Sequence, residues 1–291
     1  MKVTTYILHA FTKDGGGGNL AGIVLDTAQL SENDMQRIAK TLNFSETAFL
    51  LPSDKADWRV RYFTPVEEVA ICGHATVALF SALIQLGKAV IGTYQIETKA
   101  GILAVTITKD KQVFLQQTSP QYLDILAIEE VADSLNLSTQ DFHETLPIQV
   151  VSTGLKDILI PVKSLDILTN LTPDFDKIAQ IGRKYQQAGY HVFSLETLQP
   201  EATAHCRNFA PLFDIPEESA TGTSNAALAC YLANYLMHEE SLTNEAFLFE
   251  QGYAMGIPSE IVTRLSQKNG QIEGIYVGGY ASQFVERELN I

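Results

Sequence analysis

The sequence predicts an α/β (α+β) protein built from two similar lobes. One phrase occurs twice in the chain of 291 residues: Arg61-Tyr62-Phe63-Thr64-Pro65 and Arg207-Asn208-Phe209-Ala210-Pro211 lie 146 residues apart. Each copy precedes a glycine, Gly73 or Gly222, and an apolar run of helical length, and these glycines lie 149 residues apart. Strand-like and helix-like segments also alternate along both halves. A duplicated strand, loop and helix start indicates two duplicated domains with a site between them.

The first half is predicted to alternate short strands with two helices. Ser31 precedes a run in which Met35, Ile38 and Leu42 recur at helical spacing, so this serine is expected to cap a helix. The apolar run that begins at Gly73 is predicted to be the second helix, ending near residue 86. The predicted strands are residues 3–11, 21–25, 47–51, 58–63, 94–98, 103–108 and 113–117.

The second half repeats this order. Its predicted helices are residues 174–188 and 222–236, and the segment from Asp34 to Lys40 is echoed from Asp174 to Gln180 at an offset of 140. Residues 119–138 are interpreted as a linker that contains one short helix. The predicted strands are residues 149–152, 158–162, 191–195, 202–209, 247–251, 261–267, 274–277 and 281–286.

These segments predict two lobes. We expect an N-terminal lobe of residues 1–118, completed by the C-terminal strand 281–291, and a C-terminal lobe of residues 119–280. The active site is expected in the cleft between the two lobes.

Composition excludes several classes of protein. The formal net charge is −14, with 20 Lys and Arg against 34 Asp and Glu, which argues against binding to nucleic acid or to an anionic membrane surface. The apolar runs 69–86 and 226–236 are interrupted by polar residues or too short to cross a membrane. The N-terminus lacks signal-peptide features, and three scattered cysteines match neither a disulfide framework nor a zinc motif. We therefore expect a cytoplasmic protein without a metal site.

The two helix starts are candidate anion sites. A glycine there leaves backbone N–H groups accessible, and the helix dipole adds positive potential. Gly73 and Gly222 are therefore predicted to face a substrate carboxylate or a developing enolate-like charge. The alternative is that both glycines only permit close packing, and their duplicated context favours the site.

Three ionisable side chains near these helix starts are candidates for proton transfer. Glu46 lies at the entrance to an apolar strand, where burial raises the pKa of a carboxyl and suits it to act as a base and then as an acid. His74 can donate to a substrate carboxylate or act as an acid, and Glu218 lies four residues before Gly222. Their structural alternatives are a capping or strand-end charge, a helix cap and a solvated acidic loop, respectively.

The run Gly15–Gly18 does not match a phosphate-binding motif, because no P-loop lysine follows and the G-x-G-x-x-G spacing is absent. We interpret it as a flexible loop before the second strand, with Asn19 facing the cleft.

Six motifs follow one another along the chain: Gly18-Asn19-Leu20, Met35-Gln36-Arg37-Ile38-Ala39, Ser45-Glu46-Thr47-Ala48-Phe49, Phe63-Thr64-Pro65 through Glu68 to Cys72-Gly73-His74-Ala75-Thr76, Ser152-Thr153-Gly154-Leu155 and Gln251-Gly252 through Met255-Gly256 to Pro258-Ser259. In this order they resemble the PhzF-like (phenazine biosynthesis) family over nearly the whole chain. The resemblance implies the diaminopimelate epimerase-like fold, in which two pseudo-symmetric lobes each wrap a curled, mostly antiparallel sheet around a central helix. It also implies a homodimer.

The resemblance also implies an activity, a cofactor-independent isomerase that moves a proton within a small carboxylate-bearing metabolite. PhzF itself acts on a dihydro-hydroxyanthranilate. In this scheme Glu46 is the shuttling base. The catalytic residues implied are Glu46, His74 and Glu218, and the substrate-binding residues are Asn19, Gly73, Ala75, Gly222 and Thr223.

Departures from the family pattern leave two alternatives open. The second signature, usually Glu-Asp-Pro-Ala-Thr-Gly-Ser, is Glu-Glu-Ser-Ala-Thr-Gly-Thr over residues 217–223, so that Glu218 is one methylene longer than the usual aspartate. Such a change moves a catalytic hydrogen bond, and a small-carboxylate-binding protein that has lost catalysis is one alternative. Diaminopimelate epimerase uses a cysteine at each helix start, whereas this chain has Cys72 and Thr221. Two-thiol chemistry is therefore disfavoured, and a Cys72-dependent racemase or epimerase is the other alternative.

Overall fold

The computed structural model describes residues 1–236, 246–268 and 271–291, and the chain divides into two compact units. Unit 1 comprises Met1–Gln116 and Gly278–Ile291, and unit 2 comprises Gln117–Val277. Among the described residues, no helix is both long and apolar enough to cross a membrane.

The sheet of unit 1 is mostly antiparallel. Its strands lie in the order β18, β1, β2, β3, β4, β6, β7, β8, and only the pairs β2–β3 and β4–β6 are parallel within this fully described unit. The short strand β5 pairs with β4. The elements are β1 (Lys2–Ala10), β2 (Asn19–Val24), α1 (Glu32–Leu42), β3 (Glu46–Leu51), β4 (Trp58–Phe63), β5 (Glu68–Val69), α2 (Gly73–Gln85), β6 (Gly92–Thr98), β7 (Gly101–Ile107), β8 (Val113–Gln116) and β18 (Ala281–Asn290).

Helix α2 is the centre of unit 1. It contacts β1, β2, β3, β8 and β18, so the sheet curls around it. Every residue from Gly73 to Leu83 is buried, as expected for a helix that is apolar on all sides.

The sheet of unit 2 repeats this topology. Its strands lie in the order β9, β10, β11, β12, β13, β15, β16, with β11–β12 and β13–β15 parallel and the other described pairs of this series antiparallel. Helix α6 contacts β10, β11 and β16 as the central helix. The elements are β9 (Gln121–Leu126), α3 (Ile128–Ala132), β10 (Ile148–Ser152), β11 (Lys156–Pro161), α4 (Leu165–Thr169), α5 (Phe175–Tyr185), β12 (Gly189–Ser194), β13 (Ala204–Ala210), β14 (Ile215–Glu218), α6 (Gly222–Leu236), β15 (Ala246–Gln251), β16 (Ser259–Lys268) and β17 (Gln271–Gly279), whose last two residues belong to unit 1.

The predicted elements are present within a few residues, with one correction. Part of the predicted linker 119–138 is strand β9, which pairs with β10, and the short helix predicted there is α3. The elements β5, α4 and β14 were not predicted, because two to five residues are too short to show a period.

The structure aligns helices α1 and α5 at a different offset from the one that their similar sequences suggest. The Ser31 side chain caps α1 by accepting from Asp34 N, and the Asp174 side chain caps α5 by accepting from Lys177 N. The two N-caps are thus 143 residues apart, whereas the sequence echo has an offset of 140. Because three residues are close to one helical turn, the apolar face is preserved in both alignments.

The repeated phrase forms an ion pair in unit 1. Arg61 Nε and Nη2 donate to the two carboxylate oxygens of Glu68, each at 2.7 Å, and the guanidinium carbon lies 5.1 Å from the Phe63 ring centroid. The pairing holds the pKa of the Glu68 carboxyl below its usual value. Lys99 Nζ, 2.6 Å from Glu68 Oε2, is a second cation at this carboxylate.

The same ion pair forms in unit 2. Arg207 Nε and Nη2 donate to Glu217 at 2.9 and 2.8 Å, and the guanidinium carbon lies 5.0 Å from the Phe209 ring centroid. Its Nη1 donates to carbonyl oxygens at the end of α4, those of Leu168 and Leu171 among them, at 3.2 and 3.1 Å. Glu68 and Glu217 each lie five residues before the glycine that begins α2 or α6. The phrase is therefore repeated because it fixes the loop that leads into each central helix.

Replacing Arg207 by glutamine is expected to destabilise the protein by about 3–5 kcal/mol, because Glu217 keeps a largely buried charge without its bidentate partner. Arg61→Gln is expected to cost less, since Lys99 still pairs with Glu68. Denaturant unfolding of both variants and of Arg207→Gln/Glu217→Gln measures the difference. Equal losses for Arg61→Gln and Arg207→Gln would contradict this account.

Candidate active site

The start of helix α2 is held by two hydroxyl groups. Thr76 Oγ1 donates to the carbonyl oxygen of Cys72 at 2.7 Å, and Tyr62 Oη lies 2.6 Å from Thr76 Oγ1. Tyr62 comes from the repeated phrase on β4, and both side chains are fully buried. The strand that carries Arg61 therefore also fixes the first turn of the helix.

Four side chains of unit 1 meet at this helix start. Asn19 begins β2, Glu46 begins β3, Cys72 precedes α2, and His74 is its second residue. His74 Nε2 lies 3.2 Å from Glu46 Oε2, while His74 Nδ1 lies 3.4 Å from both Asn19 Nδ2 and Cys72 Sγ. Parallel pairing of β2 with β3 brings the two strand starts together, because Ala21 and Glu46 are register partners. Asn19, Glu46 and His74 were predicted as site residues, and Cys72 completes the cluster.

His74 is neutral at pH 7. Burial lowers the pKa of its imidazole to about 4, so its contact with Glu46 is not an ion pair at that pH. With Asn19 Nδ2 donating to Nδ1, the ring proton lies on Nε2, the nitrogen that is 3.2 Å from Glu46 Oε2. The Glu46 side chain remains 17% exposed, while its Oε2 atom, which faces His74, is buried.

The equivalent positions of unit 2 carry different residues. In unit 1, Thr47 pairs with Phe63 of the repeated phrase, and in unit 2, Tyr190 pairs with the equivalent Phe209. Glu46 and Gly189 are the residues immediately before these partners. The position of Glu46 in unit 1 therefore corresponds to that of Gly189 in unit 2. A Cβ atom at Gly189 would lie 2.1 Å from the Phe209 carbonyl oxygen, and the backbone there excludes any side chain. At the offset of 149, His74 corresponds to Thr223. The glutamate–histidine pair of unit 1 therefore has no counterpart at these described positions of unit 2.

The start of helix α6 is organised by amide groups. Glu218, the last residue of β14, accepts a hydrogen bond at Oε2 from Thr221 Oγ1 at 2.6 Å. Gln251 Nε2 donates to the Glu218 carbonyl at 2.8 Å and to Thr221 Oγ1 at 3.1 Å. Asn225 Nδ2 donates to the carbonyl of Thr221 at 2.9 Å and to Gln251 Oε1 at 2.8 Å. Glu218 is therefore an oriented carboxylate and not a solvated loop residue.

The network continues into the core of unit 2 through residues that the sequence analysis did not select. His191 Nε2 lies 3.2 Å from Asn225 Oδ1, and Asn208 Nδ2 lies 3.2 Å from both His191 Nδ1 and Ser224 Oγ. Ser224 Oγ donates to Asp157 Oδ2 at 2.7 Å. In the sequence, the only signal for these residues is that they are polar and lie within otherwise apolar strands and a helix. That signal does not identify which residues they contact.

The remaining predicted residues lie at the two helix starts. Gly73 and Ala75 are buried in the first turn of α2, and Gly222 is buried at the start of α6. Thr223 is half-buried, and its carbonyl oxygen accepts from Thr153 Oγ1 at 3.1 Å. Within unit 1 the structure thus brings Asn19, Glu46, Gly73, His74 and Ala75 together, and within unit 2 it places Glu218, Gly222 and Thr223 at one helix start.

Asp157 makes stability dependent on pH. Burial raises the pKa of this carboxyl to about 6, although the hydrogen bond from Ser224 opposes the shift. The folded state therefore binds the proton more tightly than the unfolded state, and the stability from Asp157 is fully present below about pH 4 and lost as pH rises through about 6.

Asp157→Asn is expected to match the wild type near pH 4 and to be more stable at pH 7 by about 3 kcal/mol, since asparagine resembles the protonated form. Chemical denaturation across this pH range measures the difference, and the exposed Asp110→Asn is the control. A difference that does not vary with pH would contradict the assignment. Burial lowers the pKa of the His191 imidazole to about 4, so this residue also makes stability depend on pH in acid. Because His191 is present in both the wild type and the variant, its contribution cancels in the difference between them.

Comparison with known proteins agrees with the fold. A buried helix wrapped by a curled sheet in each unit defines the class as diaminopimelate epimerase-like α/β enzymes. The chain matches the PhzC-PhzF family, described as phenazine biosynthesis-like protein, over residues 8–287 and belongs to that family. The uncharacterized isomerase YfhB of Bacillus subtilis is 37% identical over 271 residues, 91% of each chain.

Solved structures support the same assignment. The PhzF-family phenazine biosynthesis protein of Bacillus anthracis is similar with a TM-score of 0.92 at 32% identity, over 100% of both chains. A hydroxyproline epimerase from Agrobacterium vitis has a TM-score of 0.67 at 14% identity, over 99% of this chain and 92% of that one, and shares the fold alone. The predicted family and fold class are confirmed, and the names of the relatives support the predicted class of enzyme, an isomerase.

Proposed function

We propose that this chain is an isomerase that moves a proton within a small carboxylate-bearing metabolite, with Glu46 as both base and acid. The observation that carries the proposal is the contact of 3.2 Å between Glu46 Oε2 and Nε2 of the buried His74. A carboxylate partly withdrawn from water is suited to remove a proton from carbon and return it elsewhere. Because only a proton moves, the proposed reaction requires no redox cofactor.

In this proposal His74 orients the base. Its Nε2 atom packs against one Glu46 oxygen at 3.2 Å, and the neutral ring leaves the carboxylate charge available for proton abstraction. The first-turn N–H groups of α2, which have no intrahelical acceptors, are proposed to stabilise the enolate-like charge that develops on the substrate. Gly73 and Ala75 supply two of these N–H groups.

The difference between the units supports a single base. Gly189 and Thr223 occupy the positions equivalent to Glu46 and His74, so the acid/base pair is present in unit 1 alone among these equivalent positions. One carboxylate removes and returns the proton on the same face of the substrate, as a 1,3-type shift requires. Two-base inversion needs a second proton donor on the opposite face. The substrate contacts of Glu218, Gly222 and Thr223, like the homodimer, stay predictions.

Glu46→Gln is expected to lower turnover by about 10²–10⁴-fold, since the amide cannot accept the proton. The probe is a dihydro-hydroxyanthranilate in heavy water, with isomer formation and deuterium incorporation followed by NMR. Exposed Glu67→Gln is the matched control. Full turnover in Glu46→Gln would exclude the mechanism, and tight binding of the probe without turnover or exchange would favour a binding protein.

One observation favours a second candidate, the Cys72-dependent epimerase. Cys72 Sγ lies 3.4 Å from His74 Nδ1, and an adjacent imidazole is a means of activating a thiol. The related fold of a hydroxyproline epimerase makes trans-4-hydroxy-L-proline a suitable probe.

Cys72→Ser is expected to retain proton transfer on the dihydro-hydroxyanthranilate within about tenfold, because the proposed base is Glu46. The epimerase hypothesis instead expects exchange of the α-hydrogen of trans-4-hydroxy-L-proline in heavy water, and its loss in Cys72→Ser. Mass spectrometry of both substrates with wild type and variant separates these outcomes.

A further inference from the structure

Three different kinds of metal ligand meet at the start of α2. One ligand atom each from Glu46, Cys72 and His74 lies within 4.8 Å of the others. Thiolate sulfur, imidazole nitrogen and carboxylate oxygen are the ligands that zinc takes in proteins. The positions 46, 72 and 74 match no metal-binding motif, so the sequence analysis predicted no site.

The distances suit a tetrahedral ion. Zinc bonds of 2.0–2.3 Å at tetrahedral angles separate their ligand atoms by about 3.3–3.6 Å. Around His74 Nε2 the observed separations are 3.2 Å to Glu46 Oε2 and 3.9 Å to Cys72 Sγ. All three ligand atoms lie within 4.8 Å of one another, so side-chain shifts of up to about an ångström bring them to zinc-binding separations.

Charge and rigidity also favour a divalent cation. A thiolate and a carboxylate together balance the charge of Zn²⁺, while the imidazole binds in the neutral form. His74 and Cys72 are 5% and 7% exposed, so their positions are fixed by packing, and the more exposed Glu46 lies on the side open to a ligand. Three protein ligands leave the fourth position of a tetrahedral ion open, as in catalytic zinc sites.

We propose that Glu46, Cys72 and His74 form a zinc-binding site and that zinc bound there inhibits the enzyme. Binding breaks the S–H bond of Cys72, forms a Zn–S bond and releases that proton to solvent, with no change of oxidation state. The imidazole proton moves from Nε2 to Nδ1, and the Asn19 amide turns its oxygen to accept it, so that the Nε2 lone pair binds zinc while the ring stays neutral. The inhibition rests on the proposed function, because zinc occupies the carboxylate that would remove the substrate proton. Zinc binding itself does not rest on it.

Cobalt(II) is the spectroscopic probe of the site. The full chain, freed of metal by a chelator, is titrated with Co²⁺ and then with Zn²⁺. We expect one equivalent of Co²⁺ to produce a thiolate-to-cobalt charge-transfer band together with intense tetrahedral visible bands, and Zn²⁺ to abolish both. Mg²⁺, which prefers six oxygen ligands, is expected to compete with neither metal.

Substitutions test which side chains bind the zinc ion. Cys72→Ser, His74→Gln and Glu46→Gln are each expected to weaken zinc binding in calorimetry by more than the roughly 10–100-fold caused by loss of an outer-shell partner. Cys230→Ser, which removes another buried cysteine, is the control and is expected to bind as the wild type does. Circular dichroism of each variant establishes that it is folded, and Cys72→Ala replaces Cys72→Ser if the latter is not.

Three results overturn the inference: no binding of zinc, cobalt bands that lack the charge-transfer component, or zinc affinity unchanged in folded Cys72→Ser or Cys72→Ala. Failure of the proposed zinc site and failure of the proposed mechanism give different results. If zinc does not bind but Glu46→Gln abolishes turnover, the zinc site is wrong and the proposed function stands. If zinc binds but Glu46→Gln turns over normally, the mechanism is wrong and the zinc-binding site stands.

Discussion

Two arginine–glutamate pairs fix the first turns of the central helices, and the candidate site residues depend on them. Arg61 holds Glu68 and Arg207 holds Glu217, each through two hydrogen bonds and with a phenylalanine ring beside the guanidinium. Each arginine is anchored in a strand, and each glutamate lies five residues before a helix glycine. The pair therefore transfers the rigidity of the sheet to the loop. Loss of one partner would leave a largely buried charge, so the constraint is strong.

The same scaffold carries different chemistry in its two copies. The order and direction of the strands are repeated, and the fourth helical position bonds the carbonyl before each helix through Thr76 or Asn225. Glu46, by contrast, corresponds to Gly189, where the backbone of β13 approaches too closely for any side chain. A duplicated fold needs matching strand pairs and a matching loop, but it does not need matching side chains at the site. That freedom permits one unit to hold a glutamate–histidine pair and the other a carboxylate that accepts from the Thr221 hydroxyl.

Both helix starts are buried, and in each of them polar side chains form hydrogen bonds with the buried polar atoms. Buried polar atoms need partners, and the hydrogen-bonded series from Asp157 to Glu218 supplies them through neutral amides, hydroxyls and imidazole. Burial raises the pKa of Asp157 and lowers that of His191, so both groups favour the neutral form in the fold. In unit 1 the same effect lowers the pKa of His74, so this imidazole is neutral at pH 7 beside Glu46.

The sequence by itself determined the features that depend on residues close together in the chain, such as where helices and strands begin and end. Helix α2 begins at Gly73 and β4 spans Trp58–Phe63 as predicted, because period and turn residues are local signals. The duplication was also visible, although the equivalence of α1 and α5 was misplaced by three residues. Only the tertiary structure decided what the repeated arginines do, that Cys72 joins Glu46 and His74, and that Asp157 and His191 belong to one network. Glu46 and Cys72, like Asp157 and Ser224, lie far apart in sequence and are brought together by strand pairing and packing, and no local period encodes which strands pair.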